Sequence, residues 1–426
     1  MDKRAFLLEL FTHAVRSVEP SRLVADFFRT ENLGLDAYNE IHLFGSGKAA
    51  IPMGRAAADM LKGQLISGLL IAPESAEIPP LDILTGDHPI PTERSLLAAA
   101  AMKKKLAALK ENAFFIYLLS GGSSALMELP AEGLTLDDIH AANRDMLGHA
   151  LPIEAVNCIR KHLSAVKGGH LAAATKAKGA VLVLSDVVGD DLETIASAPL
   201  YCDRTTFAQA LELVGDYGLT LTPAALAHLE QGAAGIIPET PNTPNLNIRH
   251  YLIGSNKIAL KAIRDRLADE PMDTVIVTDR LTGEASEAAR EMILRAKTLQ
   301  PALSKPRLLI YGGETTVQIK GNGKGGRNQE LALAALIELK GHEGITLLSG
   351  ATDGRDGTSN AAGGIVNAAL YRKAVSQGLA LDAFLADNDS YHILKKLDAL
   401  IDTGYTGTNV MDIVLILIEP KPTTKK

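Results

Sequence analysis

Short apolar runs recur along the first half of the chain at 41–44, 69–72, 115–119 and 180–184, each followed by a turn rich in Gly, Ser, Pro or Asp and then by helical periodicity. Runs of four or five apolar residues suit strands buried on both faces, and their alternation with helices predicts βα units on a mostly parallel sheet. Pro91-Thr92-Glu93-Arg94-Ser95 opens the stretch 96–110, whose Ala, Leu and Lys favour helix. The first twenty residues place Leu, Phe and Val at helical spacing among Asp2, Glu9 and Glu19, which predicts an amphipathic helix and not a secretion signal. Between 232 and 247, Pro238, Pro241 and Pro244 interrupt any regular element, so a domain boundary is expected there. Strand-like runs return at 251–254, 274–278, 308–311, 315–319, 346–349 and 413–418. The runs 308–311 and 315–319 lie too close for a crossover helix and are expected to pair antiparallel, giving the second domain a mixed sheet. The expected domains are 1–240 and 248–426.

At 426 residues, two α/β domains are the simplest arrangement. The formal charge of −7, from 43 basic and 50 acidic residues, provides no overall field for nucleic acid or an anionic membrane, so any anion must be bound locally. The longest apolar runs, such as 413–418, fall far short of the ~20 residues of a membrane span. Two cysteines, Cys158 and Cys202, argue against a disulfide scaffold or a thiolate zinc site and for the cytoplasm.

Candidate chemistry sits where strands end. Gly45-Ser46-Gly47-Lys48-Ala49-Ala50 follows the first run and leads into helix, where free N–H groups and the Lys48 ammonium can receive an anion. It fits the loose dinucleotide pattern G-x-G-x-x-A, but it fails as a phosphate loop of the Walker type, because Ala49 stands where Ser or Thr must bind the metal. Ser120-Gly121-Gly122-Ser123-Ser124 offers close backbone approach and three hydroxyls to a carboxylate or phosphate, and it lacks the second glycine of a serine-nucleophile elbow. Arg160, Ser164 and Lys167 recur at i, i+4 and i+7, one face of a helix that can hold a carboxylate. Asp186 and Asp190 follow the run 180–184 and suit Mg²⁺, which takes one or two carboxylates plus waters and substrate phosphates.

The second half repeats the theme. Glu314 and Thr315 follow paired glycines, and Gly321-Asn322-Gly323-Lys324-Gly325-Gly326-Arg327-Asn328 reads as a flexible, basic phosphate cradle opening a helix near Asn328. The planar fork of Arg327 can hold phosphoryl oxygens by two parallel hydrogen bonds. Asp353, in Ala351-Thr352-Asp353-Gly354-Arg355-Asp356-Gly357, is a further metal candidate.

Together with Gly86-Asp87-His88-Pro89 and Gly312-Gly313-Glu314-Thr315-Thr316, these motifs resemble, in order and spacing over nearly the whole chain, the glycerate 2-kinase family with a C-terminal MOFRL region, here about 306–418. The resemblance implies ATP-dependent conversion of D-glycerate to 2-phosphoglycerate, a Rossmann-like first domain, a mixed-sheet second domain and an active site in the cleft between them. It also implies that Lys48 and Arg327 are essential. Two other readings stay open. A hydroxypyruvate reductase using NAD(P)H would need an acidic residue about 20 positions past the glycines, whereas Glu74 comes later. A non-catalytic sensor of sugar acids would leave Asp186, Asp190, Glu314 and Asp353 without work. The domain that takes ATP, the general base and assembly into a homo-oligomer are left open by the residues.

Overall fold

The apolar runs of the first half become the inner strands of one sheet. In the structure, a computed structural model that describes residues 2–421, these are β1 (Glu40–Ser46), β2 (Leu65–Ala72), β3 (Leu81–Thr85), β4 (Ala113–Leu119), β5 (Lys178–Leu184) and β6 (Ile248–Gly254). Their order is β3-β2-β1-β4-β5-β6, and every pair from β3 to β5 is parallel. This is the doubly wound order of a Rossmann-like sheet, which reverses direction between β1 and β4 and opens a crevice at the carboxyl ends of those strands. The register sets Ser46 opposite Leu119. The turns after β1 and β4 therefore leave the sheet side by side.

Burial explains why these runs alternate poorly with polar residues: Phe44, Leu69, Ile71, Phe115, Tyr117, Val181 and Val183 pack in one core with Ala98, Met102 and Leu106 of the helix Glu93–Ala107. Each such large side chain contributes about 1.5–3 kcal/mol by leaving water. The helix starts at Glu93, earlier than the predicted stretch 96–110, because Thr92 and Ser95 cap each other's backbone.

The second sheet is mixed, as expected. It comprises β7 (Asp273–Leu281), β8 (Arg307–Gly313), β9 (Ile345–Ala351), β10 (Gly363–Asn367), β11 (Leu400–Ile401) and β12 (Asp412–Ile418), in the order β11-β10-β9-β12-β8-β7. Only β7 and β8 run parallel; the other neighbours are antiparallel. Helices Ala285–Leu299 and Arg327–Leu339 bury their apolar stripes with Leu309, Leu347, Val414 and Ile416 of the sheet.

Three expectations need revision. The chain divides into Pro20–Ile253 and a second unit made of residues 2–19 together with 254–421. The first helix, Lys3–Ser17, thus packs on the sheet of the second half, burying Leu7, Leu10 and Phe11, with the Phe11 ring against Gly350. Helical periodicity identifies an apolar stripe but not the sheet that will cover it. The proline-rich stretch 232–247 is likewise no free linker. Thr240 Oγ1 donates to the buried Asp203 at 3.1 Å, Asp203 N–H to Pro241 O at 2.8 Å, and Asn245 Nδ2 to Ala172 O at 3.1 Å. The run 251–254 closes the first sheet as part of β6. Finally, 315–319 is not a strand: at Gly313 the backbone turns to φ +137°, and Glu314 N–H and Thr316 N–H donate to Leu281 O and Gly283 O, each at 2.8 Å. The antiparallel partner of β8 is β12, a hundred residues later. Among the described residues no helix is long and apolar enough to cross a membrane.

Candidate active site

The turns after β1 and β4 are bound to each other. Gly47 holds φ +125°, a conformation that side chains disfavour, and a Cβ there would strike the backbone and hydroxyl of Ser120. Lys48 N–H donates to Gly121 O at 2.9 Å, Ala49 N–H to Ser120 Oγ at 3.1 Å and Gly47 N–H to Ile71 O at 3.1 Å. The amides expected to receive an anion at this helix start are therefore spent inside the protein. Ser46, Ser120 and Ser123 are buried, and Ser46 Oγ shares hydrogen bonds with Tyr117 Oη (2.7 Å) and Ser123 Oγ (2.5 Å). These three hydroxyls fasten the turns, and of the motif Gly121, Gly122 and Ser124 line the neighbouring cavity. The amides of Ser123 and Ser124 stand in the first turn of the short helix Ser123–Leu126, where no intrahelical carbonyl can reach them.

Beside these turns lies a cavity of about 380 Å³, lined by Gly121, Gly122, Ser124, Asp186, Arg160 and His88 among others. Lys48 and His88 crowd the same point above Gly122, where a Cβ would meet His88 Cδ2, Lys48 Cε and Lys48 Cγ, each at 3.1 Å. Asp186 lies against Gly121. Its burial lifts its pKa above the usual carboxylate value, and the Lys48 charge partly offsets the rise. Asp190, beyond the Gly189 turn, adopts a left-handed φ of 56°.

On the other wall, Arg160 donates Nε–H to Asn143 Oδ1 at 2.6 Å. Burial pulls its guanidinium pKa down, and Glu128 opposes that shift. Ser197 Oγ donates to Asn157 Oδ1 at 2.8 Å and meets Ser124 Oγ at 3.0 Å. Ala196, Ser197 and Ala198 all hold positive φ, from 53° to 58°, a strained run for non-glycine residues that delivers the Ser197 hydroxyl to the cavity. Arg160, Ser164 and Lys167 do not share a helix face, because the helix Ile153–His162 ends before Ser164. Glu128 gathers the latter two instead: Ser164 Oγ donates to it at 2.7 Å, and the fully buried Lys167 forms an ion pair with it.

In the second unit the glycine-rich segment is hydrogen-bonded to the turn 387–389. Lys320 and Gly321 N–H donate to Asn388 Oδ1, Asn322 N–H to Asp387 Oδ1 and Lys324 N–H to Asp389 Oδ1, at 2.7–3.1 Å. The start of the helix Arg327–Leu339 is already capped, since Asn328 and Gln329 N–H donate to Asp356 at 3.1 and 2.8 Å. Asn328 is itself buried, accepting from Ser349 Oγ at 2.7 Å. The Arg327 fork is directed at Asp412, and Nη1 lies 2.6 Å from Glu314. Burial opposes its charge, but Asp412, Glu314 and Asp356 outweigh that effect and raise its pKa. Thr315 is buried, and Asp353 accepts from Arg355 N–H at 3.0 Å. Asp353 adds to the burial that raises the pKa of Asp412.

Among the described residues no three His, Cys, Asp or Glu side chains gather as a metal cage. His88, Asn157, Ser197 and Asp412 received no role from the sequence. The local signals were slight: His88 stands in the motif Gly86-Asp87-His88-Pro89, and Asp412 is a charged residue opening an otherwise apolar run.

A doubly wound sheet with an arginine-lined cavity at its switch point, followed by a mixed-sheet unit, places the chain among two-unit α/β proteins with a crevice at the carboxyl ends of the first sheet. The family model described as a domain of unknown function, DUF4147, matches residues 6–230, and the MOFRL family model matches residues 307–412. The chain belongs to the glycerate 2-kinase family. It is 38% identical to the D-glycerate 2-kinase of Thermotoga maritima, covering 96% of this chain and 97% of that protein. It is also 36% identical to a putative hydroxypyruvate reductase of Agrobacterium vitis, over 97% of this chain and 94% of the other. The crystal structure of a glycerate kinase from Thermotoga maritima superposes with a TM-score of 0.88 at 37% identity, covering 97% of this chain and 98% of that one.

Proposed function

We propose that this chain is a D-glycerate 2-kinase that transfers the terminal phosphoryl group of ATP to the 2-hydroxyl of glycerate with the help of Mg²⁺. The observation that carries the reading is the cavity at the switch point, where a partly desolvated Arg160 faces Ser124, Ser197 and Asn157, with Lys48 and Asp186 on the side of the turns. Arg160, whose Nε–H is committed to Asn143, keeps its terminal amino groups for the glycerate carboxylate. Lys48 and the amide of Ser124 hold phosphoryl oxygens, a task of positioning and charge stabilisation. Arg327 serves the nucleotide phosphates once one of them displaces the half-exposed Glu314 from Nη1.

Asp186, a carboxylate in the cavity wall, fits Mg²⁺, an ion held by one or two carboxylates plus substrate phosphates. Asp186 and Asp190 would hold it; Asp353, in the other unit, is the further candidate. When bound, it neutralises phosphate charge.

The name hydroxypyruvate reductase among the relatives keeps a second reading in view. Against it stand the amides of Lys48 and Ala49, which a dinucleotide pyrophosphate would need and which Gly121 and Ser120 already occupy. The deciding experiment is a coupled assay with glycerate, ATP and Mg²⁺ that separates 2- from 3-phosphoglycerate. Oxidation of NADH or NADPH by hydroxypyruvate faster than glycerate is phosphorylated would overturn the kinase reading.

A further inference from the structure

We propose that His88 is the proton acceptor for the attacking hydroxyl of the bound hydroxy acid. The inference rests on the kinase reading of the same cavity and assigns the general base, which neither the sequence nor the comparisons identify.

The segment that carries His88 is tied down on three sides. Gly86 N–H donates to Ala72 O at 3.1 Å, which fixes it to the end of β2. Asp87 accepts from Thr92 and Arg94, while its own N–H donates to Ser95 Oγ at 3.0 Å, fixing it to the helix Glu93–Ala107. His140 Nε2 lies 2.7 Å from Pro91 O, fixing it to the helix Leu136–Gly148. All three anchors leave the imidazole out over Gly122, beside Lys48 and lining the cavity. Among the described residues the ring makes no hydrogen bond within the protein, so both nitrogens remain for a ligand.

The ring is open on the cavity side, yet the surrounding protein strips enough water to lower its pKa, and the Lys48 charge lowers it further. The other charged groups of the cavity are Asp186 after β5, Arg160 on the helix Ile153–His162 and Glu128 after the short helix. At neutral pH His88 is therefore neutral and able to take a proton. Asp186, the alternative base, is the carboxylate assigned to the metal.

In the step, the hydroxyl oxygen forms a bond to the terminal phosphorus, and the bond from that phosphorus to the bridging oxygen breaks, its electron pair leaving on ADP. The hydroxyl proton passes to an imidazole nitrogen of His88, which later returns it to water.

The test compares wild type with His88→Gln in the full chain by steady-state kinetics with ATP, Mg²⁺ and glycerate from pH 5 to 9, alongside calorimetric binding of glycerate. The expected result is a kcat loss of about 10²–10⁴-fold with glycerate affinity changed only a few-fold. The acid limb of kcat/KM, with a midpoint below 6.5 in wild type, should disappear. A kcat within tenfold of wild type, or an acid limb that persists in His88→Gln and vanishes in Asp186→Asn, would overturn the proposal. If His88→Gln fails to fold, His88→Gly with added imidazole replaces it: rescue of kcat supports the base and no rescue refutes it. Absence of glycerate phosphorylation by wild type would refute the kinase reading itself, a distinguishable failure.

Discussion

Arg327 donates Nε–H and Nη2–H to the two carboxylate oxygens of Asp412, at 2.5 and 3.1 Å, and Asp412 is only 3% exposed. The sequence treats Arg327 as a cation on a mobile loop; this bidentate pair makes it one half of a buried unit as well. Arg327→Ala should therefore cost stability as well as turnover, about 3–5 kcal/mol, because it strands Asp412 in the core. Urea denaturation of Arg327→Ala and Asp412→Asn measures this, and a loss near 0.5 kcal/mol in Arg327→Ala would return it to a solvated loop charge, by the usual size of such effects.

Lys48 is different, being exposed and unpaired with any carboxylate at salt-bridge distance among the described residues. Lys48→Ala should lower kcat by about 10²-fold or more. Its melting temperature should stay near wild type. With Arg160 assigned by the proposed function to the glycerate carboxylate, the end that does not react, Arg160→Gln should act mainly on the KM for glycerate. Steady-state kinetics of both variants beside thermal melts distinguishes the two roles; a kcat loss confined to Arg160→Gln would reverse them.

The Glu128–Lys167 ion pair lies almost wholly out of water, with Glu128 in the cavity wall. Lys167→Met alone should destabilise by about 3–5 kcal/mol, whereas Lys167→Met with Glu128→Leu should recover much of the loss, because no unpaired charge then remains buried. A double-mutant cycle by chemical denaturation reads the coupling. Additive losses would contradict it.

Asp356 holds its proton to about pH 6 in the folded protein, chiefly through burial, with the Gln329 and Asn328 amides opposing and Asp412 adding to the rise. The folded state thus binds the extra proton across the window from about 4 to 6. Stability present at acid pH is lost as pH rises through that window, at up to about 1.4 kcal/mol per pH unit from this group. Asp356→Asn removes the titration, so wild-type stability relative to this variant should fall between pH 4 and 6. A difference independent of pH would exclude the linkage.

Local pattern located most of the strands. Buried strands announce themselves as short apolar runs, so β1, β4, β5, β8 and β12 all stand where the runs are, and the Ala-, Leu- and Lys-rich stretch marked most of the helix Glu93–Ala107. Turn residues at strand ends likewise pointed to Gly121, Gly122, Ser124 and Asp186, which meet at one cavity with Arg160 of the helix Ile153–His162.

What the sequence by itself determined about this protein was therefore the type of each element and the neighbourhood of its chemistry, because both depend on residues close along the chain. Tertiary structure alone decided that the first helix covers the second sheet, that β8 pairs with β12 across a hundred residues, and that Ser46 and Ser123 serve the core. It also decided which backbone N–H groups are free: those of Lys48, Asn328 and Gln329 look open on paper, but Gly121 and Asp356, distant in sequence, have already taken them. A hydrogen bond can be satisfied from anywhere in the chain, and no local pattern records the partner.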